Sequence, residues 1–380
     1  MDINKFLRET AVKLEKKTDG LFSYDVNAQR QYIEKLGFPL DEIERSFFQY
    51  KCQMKMNGSF IKFMMNIASL PIVFLYWFKH STAVCNIEKK DAVFFRDGKS
   101  SNILPNSLKK EYLVIENDPD DGFMLTNNDR KYIKKLMRRY SLSWHFVLKC
   151  MIKIGKYRFA IEKYAPDAII VCAEYSFTSS ILTDYCRACG IKHIDVMHGE
   201  KLYYMRDSFF KFDKCYVWDN YYSDLLSSMK ADRDQFVVET PDSLKFGDEA
   251  VREDRYDYTY YLAAENDAVL EKIAQSLRIL SDRGKRIAVR PHPRYSNMES
   301  VKKYFAFAEL EDSNSLSIEK SLMQTRAAVS LYSTVLNQAF CNLVPVVIDD
   351  ISNRTKFEKL RELKYILLNK EHRLLSEEIG

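Results

Sequence analysis

The sequence predicts an α/β protein with two Rossmann-like, doubly wound domains that face a central cleft, preceded by an N-terminal helical extension. Three observations predict this class. From about residue 91 onward, short apolar runs typical of buried parallel strands alternate with helical patterns. A polar stretch without a clear period, at about 238–257, interrupts this alternation once. At 380 residues, the chain is long enough for two domains of ordinary size.

The first predicted segment, residues 1–85, combines polar helices with an apolar helix at 60–78. The apolar helix barely reaches spanning length and contains Lys62 and Pro71, so we do not expect it to cross a membrane. Two interpretations fit it equally well. Basic flanks and terminal aromatic residues such as Trp77 favour a helix that lies in a membrane interface. The alternative is a buried helix that packs one domain onto the other.

The predicted N-terminal Rossmann-like domain spans 86–245, and the C-terminal one spans 255–355. In the first domain we expect strands at 91–95, 111–115, 166–172, 192–197 and 214–218. In the second domain we expect strands at 259–263, 286–289, 327–330 and 344–349, with helices at 267–282, 317–325 and 334–341. Residues 356–380 are predicted to be a helical or mixed C-terminal segment that could cross back onto the first domain.

Composition narrows the function classes. The chain is 46% apolar and carries a net charge of +5, which suits phosphate-bearing ligands or an anionic membrane but not nucleic-acid binding. The 11 glycines form neither a GxGxxG nor a Walker pattern, so any nucleotide must be held in another way. The eight scattered cysteines indicate free thiols in a reducing cytoplasm, and the start of the chain lacks a signal-peptide core. We therefore expect a cytoplasmic location.

A candidate phosphate site follows two strands of the second domain. Arg290, His292, Pro293 and Arg294 form a stiff loop after the strand at 286–289. Tyr332, Ser333 and Thr334 begin the helix at 334–341, where hydroxyls and backbone N–H groups can bind an anion. Ser333 and Thr334 could equally be ordinary helix caps, a role that uses the same geometry. Gln338, one turn further on, could reach a ribose or sugar hydroxyl.

The first domain offers candidates for acid–base chemistry at its strand ends. His198 follows the strand at 192–197 and could act as a base or stabilise a leaving phosphate, with Gly199 providing a tight turn and Glu200 beside it. Glu174 follows the strand at 166–172. A carboxylate cluster, Asp120 and Asp121, could also take a proton from an acceptor, although such clusters equally form plain turns.

These motifs resemble known families. The segment 317–349 looks like the donor lobe of GT-B glycosyltransferases, with Gln338 where many members carry Glu. Asp120-Asp121-Gly122, His292-Pro293 and Ser333-Thr334 are similar, in that order, to three motifs of bacterial sialyltransferases and polysialyltransferases. In that family the carboxylates supply the base, and the other two motifs bind the CMP of the donor. His198-Gly199, His292-Pro293 and Tyr332-Ser333-Thr334 resemble the motifs of CDP-glycerol glycerophosphotransferases, with Leu331 where Asp often precedes the Tyr.

The resemblance implies an inverting, metal-independent GT-B glycosyltransferase that needs no cofactor beyond its nucleotide-sugar donor, with a CMP-linked sugar favoured. The N-terminal domain would bind the acceptor, a glycan or lipid-linked oligosaccharide of a bacterial capsule or exopolysaccharide, and the C-terminal domain the donor. The enzyme would work in the cytoplasm, with the inner face of the plasma membrane as the alternative location there. Two alternatives stay open: a CDP-glycerol-type polyol-phosphate transferase, and a non-catalytic nucleotide-sugar-binding partner.

Overall fold

The computed structural model describes residues 22, 24–84, 86–95, 101–117, 122–247 and 252–380. The chain divides into two compact units. The first comprises Met1–His198 with Tyr203–Glu239, and the second comprises Gly199–Leu202 with Thr240–Gly380.

Three helices lead into the first unit: α1 (Val26–Leu36), α2 (Glu42–Asn57) and α3 (Ser59–Trp77). Asp25 and Asp41 start the first two, because each side chain accepts a hydrogen bond from a backbone N–H one turn on, at 2.6 and 2.7 Å. Gln49 in α2 donates to the backbone carbonyls of Glu174 and Arg206, both at 2.9 Å. The second helix is therefore an integral part of the first unit.

The first unit contains a parallel six-stranded sheet in the order β2-β1-β3-β4-β5-β6. Its strands are β1 (Ala92–Phe95), β2 (Val114–Asn117), β3 (Ala168–Val171), β4 (Lys192–Val196), β5 (Lys214–Val217) and β6 (Phe236–Val238). The accompanying helices are α4 (Asn106–Glu111), α5 (Asn127–Arg139), α6 (Trp144–Tyr164), α7 (Ser179–Ala188) and α8 (Asn220–Ser228). Strands β1 and β3 are completely apolar and buried, as expected for central parallel strands.

The second unit contains another parallel six-stranded sheet, in the order β12-β11-β10-β7-β8-β9. Its strands are β7 (Tyr258–Tyr261), β8 (Ile287–Arg290), β9 (Glu309–Leu310), β10 (Ala328–Ser330), β11 (Val346–Ile348) and β12 (Arg373–Leu374). Its helices are α9 (Asp267–Asp282), α10 (Met298–Tyr304), α11 (Ile318–Met323), α12 (Thr334–Cys341), α13 (Arg354–Glu362) and α14 (Leu375–Ile379). Counted within the unit, this is the 3-2-1-4-5-6 order of dinucleotide-binding folds, with its switch point between β7 and β10.

These two sheets confirm the predicted fold class of two Rossmann-like doubly wound domains. Two local expectations need correction. The strand expected at 111–115 begins only at Val114, because α4 runs to Glu111 and Tyr112 follows it as the C-cap. Residues 356–380 supply β12, which pairs with β11 and completes the second sheet, so this segment is a structural part of the second unit.

The apolar helix α3 is not a buried core helix. Only Ser69 and Val73 on it are buried, whereas Phe60, Phe63 and Phe74 are 75%, 60% and 56% exposed. Most of the large apolar side chains of α3 are therefore exposed.

Candidate functional site

The carboxyl ends of β3 and β4 bring together two of the predicted catalytic residues. The strands are parallel neighbours, and Glu174 and His198 follow their last residues. His198 Nδ1 lies 3.4 Å from Glu174 Oε1. The Glu174 side chain is 1% exposed, and that of His198 is 27% exposed. A carboxylate facing Nδ1 favours the proton on that nitrogen, which leaves Nε2 as the basic atom of the ring.

Neighbouring side chains fix this pair in place. Gln49 donates to the backbone carbonyl of Glu174 at 2.9 Å, and the buried Asp195 carboxylate accepts from the Ala173 N–H at 2.7 Å. The ring of Tyr175 lies edge-on to His198, with ring centroids 5.9 Å apart. Both the carboxylate and the imidazole are therefore positioned by the sheet edge and by α2.

The structure leaves room for a side chain at Gly199. A Cβ at this position would meet no atom within 4 Å, and its φ lies outside the left-handed region. The chain bends at Gly199, at the position of the predicted tight turn.

The structure does not bring the remaining candidates of the first domain together with the Glu174–His198 pair. Glu200 belongs to the second unit, where its carboxylate accepts a hydrogen bond from the Asn337 amide of α12. Asp120 and Asp121 lie outside the described residues. Gly122, which follows them, is described: a Cβ there would come within 2.5 Å of the Phe159 ring, so tight packing requires this glycine.

In the second unit, His292 is held as a neutral hydrogen-bond donor. The Arg294 N–H donates to His292 Nδ1 at 3.1 Å, so the ring hydrogen resides on Nε2. Burial and the nearby Arg294 charge lower the pKa of His292. The His292 N–H donates to Ser296 Oγ at 2.8 Å, and Ser296 in turn donates to the carbonyl of Ala263 after β7. Pro293 and Arg294 are exposed at the tip of this loop.

Arg290 is buried, and its guanidinium is paired within the second unit. It is 5% exposed, its Nη1 lies 3.2 Å from Glu311 Oε2, and its Nη2 donates to the Leu316 carbonyl at 2.6 Å. The same carboxylate oxygen accepts from Ser321 Oγ at 2.6 Å. The charge of Arg290 is thus compensated inside the fold.

The start of α12 lies at the carboxyl end of β10, at the switch point of the second sheet. Ser333 caps the helix by accepting from the Val335 N–H at 3.3 Å, and Thr334 is exposed in its first turn. Tyr332 is half-buried edge-on to Tyr365; burial, and then the Glu200 charge, raise its pKa. Gln338 donates to the Ser243 carbonyl at 3.2 Å, which ties α12 to the segment that enters the second unit.

One carboxylate at this edge, Glu265, was not predicted from the sequence. Glu265 follows β7, and its Oε2 accepts from the Ala263 N–H at 2.7 Å. Burial, and then the Asp349 charge, raise its pKa, while Lys356 opposes that shift. The sequence could have indicated this residue, since Glu265 stands two residues after the predicted strand 259–263, in the same strand-end position as the other candidates. Within the described ranges, no three His, Cys, Asp or Glu residues cluster so as to hold a metal ion.

Comparisons with known proteins give no family. No family model matches the chain, and no curated protein matches it. Similar solved structures include UDP-GlcNAc 2-epimerase from Neisseria meningitidis bound to UDP-GlcNAc, at 12% identity and a TM-score of 0.41, covering 72% of this chain and 85% of that one. They also include the wall teichoic acid polymerase TagF, at 11% identity and a TM-score of 0.43, covering 85% and 88% of the two chains.

A third similar structure is the S. aureus MnaA–UDP co-structure, at 13% identity and a TM-score of 0.43, covering 68% of this chain and 78% of that one. At these TM-scores the likeness carries no functional argument. The fold assignment rests on the strand orders and parallel pairings themselves.

Proposed function

We propose that this protein is a transferase that moves an activated group from a cytidine-nucleotide donor to an acceptor hydroxyl and releases CMP. The observation that carries the proposal is the Glu174–His198 pair at the carboxyl edge of the first sheet. A buried carboxylate that faces one imidazole nitrogen prepares the other as a general base, which is what an attacking hydroxyl needs.

In the proposed reaction, the acceptor hydroxyl transfers its proton to His198 Nε2 while its oxygen bonds to the donor. The bond between the transferred group and CMP breaks, and CMP leaves with the electron pair on its phosphate oxygen. Glu174 stabilises the imidazolium that forms. With a sugar donor, this single displacement would invert the anomeric centre.

The second unit would neutralise the donor phosphates without a metal. His292 offers Nε2–H, Arg294 adds an exposed guanidinium, and Thr334 adds a hydroxyl beside the first N–H groups of α12. Charge-assisted hydrogen bonds and a helix N-terminus are the groups that favour bound phosphate. Glu265, at the same sheet edge, is the candidate for a ribose or polyol hydroxyl.

The His198–Glu174 pair favours a polyol-phosphate donor of the CDP-glycerol type, because His-Gly is one of the motifs that resembles that family. The second candidate is a CMP-sialic-acid-like donor, supported by the order of the Asp120-Asp121-Gly122, His292-Pro293 and Ser333-Thr334 motifs. In both cases the proposed acceptor is a growing bacterial surface glycan or its lipid-linked precursor, reached from the cytoplasm.

The test is CMP release by the purified protein from CDP-glycerol and CMP-sialic acid, with UDP-GlcNAc as the third donor. We expect Glu174→Gln and His198→Asn each to lower kcat by about 10²–10⁴-fold with little change in nucleotide affinity. His372→Gln, at a half-buried histidine of the second unit, is the matched control. Nucleotide binding without turnover of any donor would contradict the enzyme assignment, and full activity of both dyad variants would contradict the proposed base.

A further inference from the structure

Helix α3 presents a continuous apolar face to solvent. Its exposed large apolar side chains recur at helical spacing along the whole helix, and Phe60 and Leu75, at 75% and 68% exposure, lie near its two ends. With Phe78, which follows the helix, they form what we call the α3 face: Phe60, Phe63, Met64, Ile67, Leu70, Phe74, Leu75 and Phe78. Nothing in the described part of the chain covers it. An apolar patch of this length on a globular protein marks an interaction surface.

The opposite side of α3 belongs to the core of the first unit. Val73 and Ser69 are 1% and 4% exposed, and the helix packs against α6. The Asn66 Oδ1 accepts from the His145 N–H at the start of α6, at 3.1 Å. By length and composition, α3 is the one described helix that could cross a membrane, with a mean hydropathy of 1.5. Its packing against α6 instead fixes it lengthwise on the surface of its unit.

A rim of cations and aromatic rings adjoins the carboxyl end of the α3 face. Arg130 donates to the Trp77 carbonyl, and its guanidinium lies 5.4 Å from the centre of the Trp77 ring. The Lys134 ammonium lies 5.7 Å from the same ring, and the Lys79 ammonium lies 5.0 Å from the Tyr76 ring. Helix α5, which supplies two of these cations, carries six Lys or Arg residues and a single acidic residue, Asp129.

Asp129 does not offset the rim, because it is buried and paired with Arg158 at 3.1 Å. At the last residue of α5, Arg139 pairs with Asp41 and lies 3.9 Å from Glu44, so its charge is compensated. The positive rim is therefore formed by Lys79, Arg130 and Lys134 at the carboxyl end of the α3 face. Indole and phenol rings beside lysine and arginine are the side chains that favour the headgroup level of a bilayer. The same positive rim on two copies would repel, which argues against α3 as a contact between identical chains.

We propose that the α3 face docks the protein on an anionic phospholipid bilayer, with α3 parallel to the membrane plane and the rim of Lys79, Arg130 and Lys134 at the headgroups. This inference goes beyond the proposed transferase function and stands without it, because it depends on neither the donor nor the base. If the transferase function holds as well, docking would bring the enzyme to lipid-linked acceptors.

The experiment is co-sedimentation of the full-length protein with vesicles of phosphatidylcholine alone or mixed with phosphatidylglycerol. We expect Phe63→Ser/Ile67→Ser/Phe74→Ser to weaken binding to the mixed vesicles by about a thousandfold, since each of the three buried apolar side chains contributes about tenfold or more. The matched control replaces three exposed apolar residues of the second unit, Ile279, Met298 and Leu343, with serine and should bind like the parent.

Neutralising the rim with Lys79→Gln/Lys134→Gln should weaken binding to the anionic vesicles by about fivefold per cation, and added salt should have the same effect. Neither the substitutions nor the added salt should change binding to vesicles of phosphatidylcholine alone. Circular dichroism melting establishes that each variant folds, and nucleotide affinity reports separately on the donor site.

If the parent protein binds neither the phosphatidylcholine vesicles nor the mixed vesicles, the proposal is overturned. It is also overturned by a parent protein that is dimeric without lipid and becomes monomeric in the Phe63/Ile67/Phe74 variant, since the α3 face would then be a contact between two chains. If the parent protein binds vesicles but turns over no donor, only the proposed transferase function is contradicted.

Discussion

Gly122→Ala should destabilise the first unit, because the Asp-Asp-Gly motif ends in a glycine that packs against an aromatic ring. The added Cβ would lie 2.5, 2.6 and 2.6 Å from three atoms of the Phe159 ring, whereas ordinary contacts begin near 3.4 Å. The buried ring or the backbone must therefore shift by nearly an ångström. Overpacking of this kind costs about 1–3 kcal/mol of unfolding free energy. For a unit of this size that corresponds to a fall in Tm of about 2–12 °C.

The measurement is thermal and urea unfolding of Gly122→Ala beside the control Gly247→Ala, where an added Cβ meets no atom within 4 Å. The control should match the parent or be slightly more stable, because alanine restricts the unfolded chain. Equal Tm values for Gly122→Ala and the parent would refute the packing argument. An unchanged Tm with a raised KM for the acceptor would instead indicate that a ligand approaches Gly122.

Three further predictions follow from the contacts. Gly199→Ala should leave the Tm unchanged, because the added Cβ would meet no atom within 4 Å, and a raised acceptor KM in steady-state kinetics would indicate that a substrate approaches this residue. Arg290→Met should cost about 3–5 kcal/mol in urea unfolding by stranding the buried Glu311, and Arg290→Met/Glu311→Leu should recover most of it. Burial lowers the pKa of His193 to about 3. Between about pH 6.5 and pH 3, His193 is protonated in the unfolded chain but neutral in the folded protein. As the pH falls through this range, His193 should therefore lower the free energy of unfolding by about 1.4 kcal/mol per pH unit. Urea unfolding at several pH values should show a shallower decrease in His193→Gln.

The parts of the fold that the sequence predicted best are those with strong local signals. Helices α9 and α12 have the predicted limits because Asn266 and Ser333 cap them, each accepting from a backbone N–H in the first turn. Strands β6, β9 and β12 were not predicted. They are two or three residues long, too short to show a period, and they exist because a neighbouring strand offers free backbone partners.

The candidate site divides in the same way. Consecutive β-α-β elements place β3 beside β4, so the sequence could predict that Glu174 and His198 lie at the same sheet edge. It could not predict their 3.4 Å separation, because this depends on the loops that follow the strands and on Gln49, more than a hundred residues earlier in the chain. Glu265 met the same strand-end criterion and was passed over only because no motif marks it.

Arg290 shows most clearly why a strand-end position does not by itself identify a ligand-binding residue. The apolar run at 286–289 predicts that Arg290 lies at the end of β8. From this position we expected its guanidinium to face a phosphate. Its counter-charge is Glu311, the residue that follows β9, a two-residue strand that the sequence does not reveal. Val289 pairs with Leu310, and the Glu311 N–H donates to the Val289 carbonyl at 3.0 Å, which places the Glu311 carboxylate beside Arg290. The pairing of the Arg290 guanidinium and the failure to predict β9 therefore have the same cause, and a charged strand end is a stronger ligand candidate when the next strand brings no opposite charge.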